Sequence, residues 1–407
     1  MLEIKGKYAT ARVYASIIDE KAIQQIQEIC DQKLSEGCSI AIMSDVHSGK
    51  GCVIGFTADF KDKVIPNIVG VDIGCGMLTV KLKTRDFSLE KLDQIIHQYI
   101  PSGKAVHQER MIHFDELKDL YCYRDLKDTK RLERSIGTLG GGNHFIEIDQ
   151  DDDQNQYLII HSGSRNLGKQ VADHYQKLAV SLMAGKDELL KQQQAIIDEY
   201  KKAGRKQEIQ QALQQLHQNF KAKEISLPHH LCYLTGEYRE KYLHDMAICQ
   251  KYASLNRKSM ADIILQHMFD QNLEDHEYFE TIHNYIDLEH NIIRKGAVSA
   301  RKDEILLIPI NMRDGSLICK GKGNKDWNHS APHGAGRIMS RTQAKSAIAL
   351  QDFQKAMEGI YSTSVNMKTL DESPFAYKSM EEITKHITST VDIIKIIKPI
   401  YNYKAGD

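Results

Sequence analysis

Histidine, cysteine and aspartate side chains stand beside glycine-rich loops in six separate parts of this 407-residue chain: residues 45–51, 70–76, 137–147, 159–165, 283–284 and 330–337. Imidazole nitrogen combined with carboxylate and thiolate suits borderline divalent cations such as Mn²⁺, Zn²⁺ or Co²⁺. Glycines beside such ligands let backbone N–H groups approach phosphate oxygens closely. The pattern therefore predicts metal-assisted chemistry on phosphate groups.

Asp72 and Cys75 lie three residues apart, a spacing at which a carboxylate and a thiolate can bind one metal or two close metals. With several isolated histidines they could supply two metals that share a ligand, a recurrent arrangement for phosphoryl transfer. Each motif alone has an ordinary explanation, because a histidine on an apolar strand is usually a core residue and a glycine-rich turn is usually only a turn. The six motifs together favour a functional site.

The motifs before residue 165 lie among short apolar runs separated by glycine-rich turns, which is typical of buried strands. Strands are predicted at residues 39–43, 64–65, 67–71 and 77–82. Apolar residues at helical spacing predict helices over 20–33 and 89–99. The first motif and His161 are accordingly expected at the ends of strands.

Between residues 169 and 270 glycine becomes rare and strong helix formers dominate, which predicts long helices with a break near 203–204. Two interpretations of this stretch stay open, a solvated insertion that packs on the core and an arm that contacts nucleic acid. Motifs lie on both sides of it, so both ends must fold together if they build one site. The chain is therefore predicted to be one α+β domain, residues 1–407, with a helical insertion at about 169–270.

The final third of the chain is predicted to return to strands at residues 304–308 and 316–320. The tail from 381 to 397 is predicted to be a helix that Pro399 ends, because proline cannot continue a helix.

The composition is that of a globular protein, with 41% hydrophobic and 27% charged residues and a formal net charge of −1. Any binding of nucleic acid must then depend on a local basic patch, since the whole chain exerts no electrostatic attraction. The N-terminus lacks the apolar region of a signal peptide, and no apolar run reaches the length of about 18 residues of a membrane span. The eight scattered cysteines are expected to be reduced thiols in the cytoplasm.

Several motifs, taken in their order along the chain, resemble those of the RtcB family of RNA ligases. Gly-Asn-His-Phe at 142–145, His-Ser-Gly-Ser-Arg at 161–165 and His-Gly-Ala-Gly-Arg at 333–337 are the most specific of them. The resemblance runs from about residue 40 to the C-terminus, interrupted by the helical middle. It implies a single RtcB-like catalytic domain, with mixed β-sheets around a dinuclear metal site.

The resemblance also implies an activity. A member of this family would be a GTP-dependent ligase with two Mn²⁺ ions that joins an RNA 3′-phosphate or 2′,3′-cyclic phosphate to a 5′-hydroxyl, in RNA repair or tRNA splicing. The reaction would pass through a guanylylated histidine. RNA would be the partner, with an archease-like activator in parts of the family, and a cytoplasmic monomer without membrane association is the expected state.

The family's functional positions can be carried over one by one. The implied metal ligands are Asp72, Cys75, His144, His161 and His283, with the Cys75 thiolate bridging the two ions. His333 corresponds to the guanylylated histidine, and Asp45 would orient its imidazole. The implied nucleotide contacts are Asn143 to phosphate, Glu147 and Lys404 to guanine, backbone approach at Gly334, Ala335 and Gly336, and a pocket wall at Asn311 and Ser316.

Four basic residues, Arg165, Arg294, Lys295 and Arg337, are candidate phosphate clamps because cations suit dense phosphate charge. The alternative for each is an ordinary solvated surface charge. The chain also departs from the family at 310–316, where Ile-Asn-Met-Arg-Asp-Gly-Ser replaces the usual Gly-Ser-Met-Gly-Thr-Ala-Ser, and at Ser48, which replaces a tryptophan. These departures indicate a divergent bacterial-type branch and leave the nucleotide preference open.

Two other functions use the same residues. The first is a metallophosphoesterase that opens cyclic phosphates without ligation, which only His333 and its glycines distinguish from a ligase. The second is a catalytically silent protein that binds RNA ends, which the complete ligand set argues against.

Overall fold

The architecture is taken from a computed structural model, which describes residues 1–405. The strands are β1 (Leu2–Lys5), β2 (Thr10–Val13), β3 (Ile40–His47), β4 (Ile54–Ala58), β5 (Gly76–Lys81), β6 (Phe145–Gln150), β7 (Gln156–Ser162), β8 (Glu277–Ile282), β9 (Asn284–Asp287), β10 (Ile292–Lys295), β11 (Ala297–Ser299), β12 (Ile305–Asn311), β13 (Gly315–Gly321), β14 (Ser330–Pro332) and β15 (Val391–Lys404). The helices are α1 (Glu20–Cys30), α2 (Pro66–Val69), α3 (Leu89–Tyr99), α4 (Thr129–Glu133), α5 (Arg165–Met183), α6 (Lys186–Lys202), α7 (Ile209–Asn219), α8 (Gly236–Phe269), α9 (Arg341–Ala347), α10 (Leu350–Ala356) and α11 (Met380–Ile387).

Two large sheets form the core. One has the order β1-β2-β3-β4-β10-β9 and mixes parallel pairing of β2 with β3 and antiparallel pairing elsewhere. The other has the order β12-β13-β15-β6-β7-β5-β8 and is antiparallel, and β11 pairs with β14 in a small third sheet. Helices pack against both large sheets, so the predicted α+β class is confirmed.

The C-terminal tail differs from its prediction. Only Met380–Ile387 is helical, and Val391–Lys404 forms β15. The run after residue 390 is rich in β-branched isoleucine, which favours strands, and the helix prediction for it was wrong. Pro399 lies inside the strand, where the pairing with β6 shifts register between Pro399 and Tyr401. Such an irregularity accommodates a residue that lacks a backbone N–H group.

The segment at 64–71 also differs from its prediction. Pro66 begins the short helix α2, because a proline in the first helical turn costs no hydrogen bond. The predicted strands at 64–65 and 67–71 are therefore wrong, although Val64 forms an isolated bridge with Leu234. The predicted strand at 77–82 and the helix over 89–99 are found as β5 and α3.

The helical middle of the chain has two different parts. The pair α6 and α7 is mostly solvated, and the break between them includes Gly204 with φ of 73°. In contrast, α5 and α8 contribute buried side chains such as Tyr175 and Tyr252 to the main core. Only α6 and α7 therefore fit the description of a solvated insertion. Within residues 1–405, no helix combines the length and apolar character needed to cross a bilayer.

The buried Arg257 of α8 joins three segments that lead to the functional motifs. Its guanidinium donates to the backbone carbonyls of Gly74 and Ser162, each at 2.9 Å, and pairs with the Glu280 carboxylate at 2.7 Å. Because the Arg257 side chain is fully buried, these contacts replace the water that its charge would otherwise require.

We expect Arg257→Met to lower the free energy of unfolding by about 3–5 kcal/mol, because it leaves Glu280 and two carbonyls without their cation. Chemical denaturation followed by circular dichroism measures this change. The control is Lys251→Met on the exposed side of the same helix, for which we expect a change within about 0.5 kcal/mol. Equal stability of the two variants would contradict the role given to Arg257.

Candidate active site

Three metal-type ligands lie together at the ends of adjacent strands in the sheet that contains β5. Cys75 immediately precedes β5. The strands on either side of β5 supply the two histidines: His161 lies in β7, and His283 directly follows β8. The backbone N–H of His283 donates to the carbonyl of Cys75 at 3.0 Å. The Cys75 Sγ lies 3.4 Å from Nε2 of His161, and this nitrogen lies 3.4 Å from Nε2 of His283.

A second group of ligands shares Cys75 with the first. His144 Nε2 lies 3.5 Å from the Cys75 Sγ and 3.1 Å from Oδ2 of Asp72. Within each of the two groups, Cys75 with His161 and His283 and Cys75 with Asp72 and His144, the ligand atoms lie within 4.8 Å of one another. All five predicted metal ligands therefore converge, and Cys75 stands between the two groups.

The imidazole rings are oriented so that their Nε2 atoms face the cluster. Nδ1 of His144 bonds to the carbonyl of Leu139 at 2.8 Å, and Nδ1 of His161 bonds to the carbonyl of Asn143 at 3.1 Å. A carbonyl accepts, so each Nδ1 carries the proton and each Nε2 presents a lone pair. Glycine at 163 is required here, because a Cβ atom would stand 2.2 Å from Oδ1 of Asp72.

The electrostatics of the cluster fit a bound cation. Burial and the neighbouring Asp72 carboxylate raise the pKa of the Cys75 thiol well above its ordinary value. Burial and the other imidazoles lower the pKa values of His161 and His283 well below theirs, so both rings are neutral. Without a metal the Cys75 thiol therefore keeps its proton, and a bound divalent cation would displace that proton and be held by the sulfur, nitrogen and oxygen lone pairs together.

His333 lies beside this cluster and is held by a buried carboxylate. Its Nδ1 lies 2.5 Å from Oδ2 of Asp45, which also accepts the His333 backbone N–H at 3.1 Å. The His333 and His283 ring centroids are 4.8 Å apart. Asp45 lies within β3 and not after it, at a point where the ladder with β4 shifts register. Such a bulge redirects side chains, and it aims Asp45 at His333.

A cavity of about 320 Å³ opens beside the cluster and reaches Lys404. Most of the predicted nucleotide contacts line it: Asn143, Glu147, Asn311, Gly334, Ala335, Gly336 and Lys404. Its volume is within the range of small-ligand sites. Ser316 is the exception, because it is fully buried in β13 and lies outside the lining. The structure therefore does not support the prediction of Ser316 as a nucleotide contact.

The side chain of Asn311 is engaged in its own turn. Its Nδ2 donates to Asp314 at 2.8 Å, and its Oδ1 accepts the backbone N–H groups of Arg313 and Asp314. The altered family segment at 310–316 is thus a self-contained turn in the wall of the cavity.

Sequence reasoning missed the acidic centre at the far end of the cavity. The buried carboxylate of Glu372 pairs with Lys404 at 2.6 Å and Arg341 at 2.8 Å, and it accepts from the Tyr377 hydroxyl at 2.7 Å. Burial opposes its ionisation, but these cations lower the pKa of Glu372 to about 2. No glycine-rich motif accompanies Glu372, Arg341 or Tyr377, so the sequence alone contained no signal for them.

The predicted phosphate clamps have structural partners. The buried Arg294 donates to Ser330, and the buried Lys295 donates to backbone carbonyls, so the structure does not support these two as free clamps. Arg165 packs its guanidinium against the turn at 140 and donates to the Gly103 carbonyl at 3.0 Å. Arg337 lines the cavity but pairs with Glu372 at 3.3 Å.

Comparison with known proteins agrees with this geometry. The family model described as "tRNA-splicing ligase RtcB" matches residues 33–124 and 121–405. The RNA-splicing ligase RtcB of Escherichia coli strain K12 is 30% identical over 397 residues, which cover 89% of this chain and 88% of that protein. The tRNA-splicing ligases RtcB of Thermococcus kodakarensis and Nanoarchaeum equitans are 23% and 24% identical, with coverage of 96% and 95% of this chain and 93% and 92% of theirs.

The fold and the site thus define an α+β protein with a buried mixed-ligand cluster beside a histidine–carboxylate pair. The chain belongs to the RtcB family.

We expect the two ligand groups to behave differently on substitution, because only Cys75 belongs to both. We expect the natural protein to bind about two ions per chain when it is equilibrated with Mn²⁺. His283→Ala should then retain about one ion per chain, whereas Cys75→Ala should retain almost none. Elemental analysis by mass spectrometry measures the metal content. Cys319→Ala, at a buried thiol in β13, is the control and should retain both ions. Two ions retained in Cys75→Ala would contradict the shared ligand.

Proposed function

We propose that this protein is an RNA ligase that joins a 3′-phosphate or 2′,3′-cyclic phosphate end to a 5′-hydroxyl end, with GTP and Mn²⁺. The observation that carries the proposal is the Asp45–His333 pair beside the metal-type cluster. A phosphoesterase needs the cluster alone. A histidine held by a buried carboxylate is an additional feature, and nucleophilic catalysis accounts for it.

The pair makes Nε2 of His333 the reactive atom. Asp45 is completely buried, and its Oδ2 accepts the proton of Nδ1. This contact fixes the tautomer, because the second nitrogen then keeps its lone pair. The side chain of His333 is partly exposed to the cavity, so its Nε2 can reach a nucleotide there.

The proposed reaction has three transfers. Nε2 of His333 forms a bond to the α-phosphorus of GTP as pyrophosphate leaves. An oxygen of the RNA 3′-phosphate then attacks this phosphorus, and the N–P bond breaks. Finally the 5′-hydroxyl attacks the RNA phosphorus, GMP leaves, and the hydroxyl proton passes to water. A cyclic phosphate is first opened by water to a 3′-phosphate.

Asp72, Cys75, His144, His161 and His283 are the residues that would hold the metals. Two divalent ions supply charge stabilisation at attacking and leaving phosphate oxygens. Asp45 lies in β3 and His333 directly follows β14, so strands of two different sheets bring the histidine and its carboxylate together beside these residues.

The wall that carries Glu147 and Lys404 supports guanine as the base. A carboxylate accepts two N–H donors of guanine, and an ammonium group donates to its carbonyl oxygen. RNA with these ends is the proposed partner. A single catalytic domain, a monomeric state, a cytoplasmic location and an archease-like activator remain proposals of the same kind.

The decisive test is incubation of the metal-loaded protein with GTP or ATP labelled at the α-phosphate. We expect label on the protein from GTP only, stable to denaturation and base but not to acid, as a histidine phosphoramidate requires. His333→Ala should abolish it, and His113→Ala, at an exposed histidine, should retain it.

Other outcomes separate the alternatives. Label on His333→Ala would contradict the nucleophile, and label from ATP would replace the nucleotide. Absence of label together with hydrolysis of a cyclic phosphate end would indicate the metallophosphoesterase.

A further inference from the structure

Two carboxyl groups lie side by side beneath the nucleotide cavity. Glu147 and Asp149 are two residues apart in β6, so their side chains project from the same face of the strand. Glu147 is 3% exposed and Asp149 is fully buried. Glu147 lines the cavity, whereas Asp149 lies one step behind it.

The two groups have unequal partners. Glu147 accepts from Nδ2 of Asn402 at 2.8 Å and lies near the ammonium of Lys404. In the described part of the chain, neither carboxyl oxygen of Asp149 has an aligned hydrogen bond or a cation, and the Ser316 hydroxyl is the polar group beside it. An ionised carboxylate without such partners is costly in a protein interior and takes up a proton instead.

In the described part of the chain, the charged groups on the surrounding strands are engaged elsewhere, among them Lys395 of β15, which pairs with Asp151 at 2.6 Å. From β15, Lys404 is already paired with Glu372, and Asn402 contributes an amide. From β7, Tyr157 stands opposite Asp149 in the register but donates its hydroxyl to Asp151. Two adjacent buried carboxyl groups with so little compensation cannot both ionise.

We propose that Asp149 and Glu147 form a buried pair that holds one proton, with the proton on Asp149 and the charge on Glu147, and that this charge selects a purine with two donors on its pairing edge. The inference rests on the proposed function, because it assumes a nucleotide in this cavity. An ionised Glu147 accepts the N1–H and the 2-amino group of guanine. Adenine has a single donor on this edge, its 6-amino group, and a carboxyl oxygen of Glu147 accepts it in either protonation state.

The titration of Glu147 gives this selection a pH dependence. Burial, offset in part by Asn402 and Lys404, raises the pKa of Glu147 to about 7. Burial and the adjacent Glu147 charge raise the pKa of Asp149 well above its ordinary range, against the effect of the Ser316 hydroxyl. A group with a raised pKa is ionised only above that pKa. Preference for guanine is therefore full above pH 7 and is lost as the pH falls through it.

The test measures binding of GMP and AMP to the Mn²⁺-loaded full chain by calorimetry between pH 5.5 and 8.5. The two ligands carry the same phosphate, so the ratio of their affinities isolates the base. We expect the GMP affinity divided by the AMP affinity to fall by about tenfold for each pH unit well below 7. A ratio that does not change with pH would overturn the proposal.

Two variants separate the roles of the carboxyl groups. Glu147→Gln should give a low ratio that no longer depends on pH. Asp149→Asn replaces a neutral acid by a neutral amide. The pH midpoint of the change in the affinity ratio should therefore stay within about half a pH unit of its value in the natural protein. Asp149→Thr, which is also neutral and is favoured in strands, should give the same midpoint and can replace Asp149→Asn if the amide impairs folding. A midpoint lowered by one pH unit or more in either Asp149 variant would show that Asp149 was charged, and would overturn the proposal.

The proposal and the proposed function fail differently. GMP binding with a constant ratio rejects the carboxyl pair alone. Absence of GMP and AMP binding at every pH rejects the nucleotide site itself.

Discussion

The Cys75 sulfur is surrounded by the nitrogen and oxygen ligand atoms of four side chains, and the rest of the structure is arranged to hold them there. These side chains are Asp72, His144, His161 and His283. Such groups do not attract one another, so the backbone must keep them together until a cation binds. Antiparallel pairing of β5 with β7 and β8 does this for His161 and His283. The buried Arg257 secures the same strand ends from α8, and it donates to carbonyls without competing for the ligand atoms.

The nucleophile depends on a second constraint, the bulge in β3. Lys378 donates its ammonium to the carbonyls of Ser44 and Val46, on either side of Asp45, and so fixes the irregular backbone. Glycine at 336 permits the close approach of the His333 loop, since a Cβ atom there would meet the Asp45 carbonyl at 2.2 Å. Gly336 of the His-Gly-Ala-Gly motif therefore serves the histidine–carboxylate pair as well as the cavity.

The glycine-rich motifs indicated a metal site from the sequence, and the resemblance to the RtcB family assigned its five ligands, including His283, which has no glycine beside it. The sequence could not predict Glu372, whose role comes from cations that reach it from distant segments. The helix prediction for the C-terminal tail was wrong for a related reason. Spaced isoleucines in Val391–Lys404 fit a helix or a strand, and the choice was made by pairing with β13 and β6, far away in the chain. That pairing also brings Lys404 opposite Phe145 and into the cavity, which no local signal indicated.

We propose that the metal-type cluster and His333 act together to join RNA ends. The most direct measurement uses two RNA oligonucleotides, one with a labelled 3′-phosphate and one with a 5′-hydroxyl, incubated with the Mn²⁺-loaded protein and GTP. We expect a joined product that retains the labelled phosphate at the junction, as attack of the 5′-hydroxyl on that phosphorus requires. Release of the label as inorganic phosphate, without a joined product, would contradict it.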